Sequence, residues 1–171
     1  MRTAALLTVL SLGLTCQAQQ KDPPQYRNDH QHEVIKRGDQ AMGFAHAKTT
    51  HHFRLFKDGG AIEVEVNDLK DIESREQIRE HLTHITAMFS AGNFESPMFT
   101  HGTTPPGVAT MSHLRDQIDY HFEETEKGAK VRITAANGQA TDAIHAFLLF
   151  QIVGHQTGDS PDISEEAQKK S

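Results

Sequence analysis

Residues 51–57 and 61–67 flank Asp58-Gly59-Gly60, and this stretch constrains the fold more than any other. Ile62, Val64 and Val66 alternate with Glu63 and Glu65. Successive side chains of a strand point to opposite faces, so one face of this segment is buried and the other wet. The paired glycines suit a tight hairpin turn. On the preceding strand His51 shares parity with Phe53 and Leu55, whereas His52 shares parity with Arg54 and Phe56. A hairpin with one apolar face needs a cover, and the next segment supplies it. Ile78, Leu82, Ile85 and Phe89 recur at helical spacing as one apolar stripe. Asp68 or Asp71 can cap this helix, acidic residues crowd its first turn, and Gly92 ends it.

The pattern then repeats. Residues 120–125 and 130–135 form a second hairpin around Gly128, with Val131 and Ile133 alternating with Arg132 and Thr134. Residues 139–154 form a last helix carrying Ile144, Phe147, Leu148 and Ile152. Between the two halves lie an irregular segment, residues 97–102, and a helix opened by residues 103–107 with Met111, Leu114 and Ile118 on one face. His52-Phe53 and His121-Phe122 occupy similar places in the two halves. The expectation is an α+β domain of two ββα units, giving a four-stranded antiparallel sheet with helices packed on one face.

The ends read differently. Residues 1–18 carry Arg2, a short uncharged apolar run and small residues before a cleavage point after Ala18, the pattern of a secretory signal peptide. A lipid-modified Cys16 is the alternative. Residues 19–39, with Pro23-Pro24, read as a flexible arm, and residues 158–171 as a disordered tail. The single domain is thus expected over residues 40–157, in the periplasm or secreted, without a transmembrane segment. The formal charge of −6 argues against a nucleic-acid partner.

Twelve histidines and one cysteine bound the chemistry. Cleavage after Ala18 leaves no thiol, so a metal site must draw on His, Met or carboxylates. His81 and His84 lie on one helical face, and Met88 extends the row. Met98 and His101 follow on the segment that returns near the helix end. His51-His52 and His46 bring imidazoles from a third segment, with Met42 nearby. The expected ligands are His52, His81, His84 and His101, with Met88 or Met98 as an axial thioether. Parity places His51 toward the core and His52 toward the site. Copper suits this His and Met set, with zinc or nickel as alternatives. His30 and His32 sit in the arm, His113 and His121 read as solvated, and His145 and His155 as helix-edge residues. The chain would then buffer, carry or sense copper.

Other readings stay open. One is a metal-free binding module for a small ligand or a protein, its histidines structural. Another is an enzyme on a small anionic substrate held at the helix start near Pro105. No Gly-x-Ser-x-Gly, Walker or His-Glu-x-x-His motif favours catalysis.

The run Met42-Gly43-Phe44-Ala45-His46-Ala47-Lys48-Thr49-Thr50-His51-His52-Phe53 resembles a family of small exported bacterial proteins. So do His81-Leu82 with His84-Ile85, Pro97-Met98 with His101-Gly102, and Pro105-Pro106-Gly107-Val108. The resemblance covers about residues 38–158. Some members bear the label aspartate carbamoyltransferase, but this chain lacks the Ser-x-Arg-Thr phosphate loop of those far longer enzymes. The resemblance implies an exported location and places the histidine-bearing segments within the family pattern. It implies no function.

Overall fold

A computed structural model describes residues 24–165 of the chain. The expected signal peptide with Cys16, the start of the expected arm and the last six residues lie outside that range. In chain order the elements are α1 (Pro24–Met42), β1 (Thr49–Phe56), β2 (Gly59–Val66), α2 (Ile72–Ser90), α3 (Glu95–His101), α4 (Val108–His113), β3 (Ile118–Glu124), β4 (Gly128–Ala135), α5 (Gly138–His155) and β5 (Ile163–Ser164). Among the described residues no helix is long and apolar enough to cross a membrane.

The two hairpins form as the alternation requires. They join through β2 and β4 to give the antiparallel order β3-β4-β2-β1. One row runs Phe53, Ile62, Val131, Phe122 across all four strands. The apolar stripe of α2 and Ile144, Phe147 and Leu148 of α5 pack with Phe53, Ile62 and Val131 into one core. Asp71 caps α2 by accepting from the Ser74 N–H at 3.1 Å, and Asn137 caps α5 by accepting from Ala140 at 2.9 Å.

The sheet departs from the expected four antiparallel strands. It has five and is mixed, because β5 adds to β1 in parallel, pairing Leu55 with Ile163 and Phe56 with Ser164. The cause is the open edge of β1, whose unpaired backbone groups take up a passing segment. Residues 158–165, read from sequence as disordered tail, are the segment used. Asp159 helps anchor it by accepting from the Phe53 N–H at 2.9 Å.

The arm also departs from its reading. Residues 24–42 are helical, and Val34 is 1 % exposed. Burial of that one side chain contributes about 2 kcal/mol. Arg37 adds a second tether, its Nε–H donating to the Thr100 carbonyl at 3.0 Å. Residues 97–102, expected to be irregular, fall mostly within α3, which ends at Gly102 with φ 65°.

Candidate functional site

The end of α1, the turn after it, the start of β1, α3 and the end of α5 converge on one place. Each brings a polar side chain whose local setting fixes its direction. On β1 the strand parity turns His51 inward with Phe53, leaving it 8 % exposed. His46 enters from the short helical turn before the strand. His101 ends α3 and is 2 % exposed, and His155 ends α5. The rings touch. His46 lies 5.1 Å from His51 and 5.6 Å from His155, His51 lies 5.5 Å from His155, and His101 meets His155 edge-on at 5.0 Å.

Two glycines make the approach possible. A Cβ on Gly38 of α1 would collide with the His46 ring, and one on Gly154 of α5 would stand 2.6 Å from Cε1 of His101. The bare helix backbone at these points is the surface on which each imidazole rests.

Hydrogen bonds assign the ring protons. Asp39 Oδ1 accepts from the His46 N–H at 2.8 Å and from His46 Nδ1 at 2.7 Å. A neutral His46 therefore carries its proton on Nδ1, and its Nε2 accepts from His155 Nδ1 at 3.4 Å. That leaves Nε2 as the acceptor nitrogen of His155. His51 Nε2 donates to the Met42 thioether at 3.3 Å, leaving Nδ1 as its acceptor. His101 Nε2 donates to Gln151 Oε1 at 2.8 Å, leaving Nδ1 as its acceptor. Asp39 and Gln151 thus orient the rings, as carboxylates and amides do behind metal or catalytic histidines.

Burial keeps the inner rings neutral. Desolvation, then repulsion from His46, His81 and His52, lowers His51 to a pKa of about 3, against a small opposing pull from Asp39. His155 is pushed well below the usual histidine range by burial and by His51, His101 and His46. His81 falls to about 4 through burial and the neighbouring His84. Neutral imidazole is the form that ligates a metal or accepts a proton.

The expected ligands divide into groups. His51 and His101 are in the cluster. His81, His84 and Met88 share a separate groove beside α3, with His84 exposed. The ring of His81 stands edge-on to Phe44 at 5.7 Å, and His81 and His51 line one cavity. Met98 is exposed, and so is Phe99 beside it. His52 faces the other side of the sheet, where its Nδ1 donates to Asp159 Oδ1 at 2.9 Å. Both members of the pair were candidate ligands, and it is His51, not His52, that stands against the other imidazoles.

Sequence reasoning set His155 aside as a helix-edge residue and gave Asp39, Gln151 and Met42 no ligand or orienting role. Gly154-His155 held the one local signal, a small residue before a histidine at a helix end. Among the described residues no three His, Cys, Asp or Glu side chains stand as a ready set of ligands around one ion. The chain matches no family model, no curated protein and no solved structure. The functional reading rests on these side chains.

Proposed function

We propose that this is an exported metal-binding protein, that copper is its metal, and that His51, His101 and His155 hold it with His46 behind them. One observation carries the reading: four imidazoles from four separate elements meet in ring contact, His51 and His101 buried and His46 and His155 half-buried. Such packing gathers imidazoles from four segments, the donor type that a soft cation takes. The neutral state of His51 and His155 supports this, because a ligating imidazole must be deprotonated. The Asp39–His46 pair supports it as an orienting partner. Met42 beside His51 adds a thioether, the donor that favours Cu(I).

Uptake of an ion turns the rings about their Cβ–Cγ bonds, a torsion that is broad and inexpensive in histidine. The protein would buffer, carry or sense the metal. The test is elemental analysis of the mature chain purified without a tag, followed by Cu(I), Cu(II), Zn and Ni titrations. The expected result is one equivalent of tightly held copper. If no metal binds stoichiometrically, the histidines are structural and the reading fails.

A further inference from the structure

Behind His51 and His155 lies a cavity of about 70 Å³. Its walls are apolar, formed by Phe53, Ile62, Leu82, Ile85 and Phe147 from the sheet, α2 and α5. Its polar lining comes from His51, His81, His155, Ser96, Thr100 and Gln151, and among the described residues no Lys, Arg, Asp or Glu lines it. Gln151 lies at its edge, 3 % exposed, and its Nε2 has no hydrogen-bond partner among the described residues. The Oε1 of the same amide is already taken by His101, so the amide is held with its N–H₂ otherwise directed.

A buried donor left unpaired is destabilising, and such a group in a native interior calls for an occupant. The cavity sets the occupant's chemistry. A charged organic guest would enter a chamber without a counter-charge, at high desolvation cost. A wholly apolar guest would leave the Gln151 N–H unsatisfied. The size admits roughly three to five non-hydrogen atoms, since a chamber of about 150 Å³ holds benzene.

We infer that this cavity binds a small uncharged molecule bearing a carbonyl-type oxygen, with that oxygen accepting from Gln151 Nε2 and its carbon skeleton against Leu82 and Phe147. So few atoms give an affinity in the millimolar range. The cavity shares His51 and His155 with the copper reading but is argued from Gln151 and the apolar walls, and its test uses metal-stripped protein so that the two are distinguishable.

Saturation-transfer NMR on the metal-free mature chain, with acetone and acetamide as probes and acetate as the charged counterpart, decides it. Saturable binding of the two neutral probes and little binding of acetate are expected. Leu82→Phe fills the chamber and should abolish binding. Gln151→Met keeps the side-chain volume, removes the donor and should weaken binding about fivefold, the worth of one hydrogen bond. If Leu82→Phe does not fold, Gln151→Met alone still decides. Failure of both neutral probes to bind means the chamber holds only water and overturns the inference. Acetate binding as well as acetone, or unchanged binding in Gln151→Met, overturns it too.

Discussion

The cluster of His46, His51, His101 and His155 and the helical row of His81, His84 and Met88 offer the same functional groups, yet they are built by different means. The row comes from spacing within one helix. Its residues adjoin because the backbone rises by a fixed step, and the outer one, His84, stays in water. The cluster comes from closure of the whole fold. His46 and His155 are separated by 109 positions in the chain and meet at 3.4 Å. Adjacency in sequence brings imidazoles near each other but half-buries only one of this pair, His81, and leaves His84 in solvent. Convergence of separate elements buries His51 and His101, keeps His51 and His155 neutral, and sets Asp39 behind His46 and Gln151 behind His101. A tight site needs the second condition.

The largest expected difference lies in metal affinity. Replacing His51 and His155 together with Ala should weaken copper binding by more than about 100-fold, since two donors are lost where changes to the groups that only orient a ligand cost about 10- to 100-fold. Replacing His81 and His84 together should leave affinity within about threefold, given that His84 lies in the outer groove. Titration of the two double variants with copper checks this. Loss in the second and retention in the first would transfer the site to α2.

The next effect is on stability against pH. His51 has a folded pKa of about 3, below the ordinary 6.5. Between those values the unfolded chain binds a proton that the folded chain refuses, so stability rises with pH across the window. It is fully present above about 6.5 and is lost as pH falls toward 3. His155 contributes with the same sign. Each such histidine adds a slope of up to about 1.4 kcal/mol per pH unit. Urea denaturation of the metal-free protein from pH 7.5 to 4.5 should show this slope. In His51→Ala it should shrink, although the variant is less stable at every pH. A flat profile in the parent chain would mean that the inner rings are solvated.

Both hairpins, the α2 stripe and the last helix were legible because their signals are local and periodic. Ile62, Val64 and Val66 declare a buried face within seven residues of chain, and Ile78 through Phe89 declare a stripe. Parity placed His51 on the inner side, and the structure puts it there. What sequence could not show is which side held the other imidazoles. Helix α1 was hidden because its inward line runs Val34, Gly38, Met42, and the bare glycine in the middle breaks the apolar stripe that spacing would otherwise show. Strand β5 was hidden because two residues on an open edge carry no pattern of their own. His155 was hidden because its partners are set by tertiary closure, in which the residue type of a distant segment matters and local spacing does not.

A smaller effect separates orientation from ligation. Asp39→Asn keeps the size of the side chain but removes the negative charge from behind His46, and a flipped amide would present the wrong group to Nδ1. Copper affinity should fall about 10- to 100-fold, with stoichiometry unchanged. Isothermal titration distinguishes this from loss of a ligand, which changes the stoichiometry or abolishes binding. An unchanged affinity would mean that His46 and Asp39 form a structural pair only.

The finest distinction concerns Met42, among the described residues the thioether that meets His51. Met42→Leu is close to volume-conserving and should cost less than about 1.5 kcal/mol in stability. If the sulfur is a donor, Cu(I) affinity should drop by about tenfold while Zn affinity stays within experimental error, because thioether discriminates between the two ions. If the sulfur serves only as a weak acceptor for His51 Nε2, both affinities should change equally and slightly. The row on α2 provides the internal control. Met88 lies beside His81 and His84 at the same helical spacing, partly buried against the core, and Met88→Leu should leave both metals untouched. A selective Cu(I) loss in Met42→Leu with none in Met88→Leu would place the soft donor at the end of α1, the helix that the sequence alone presented as a flexible arm.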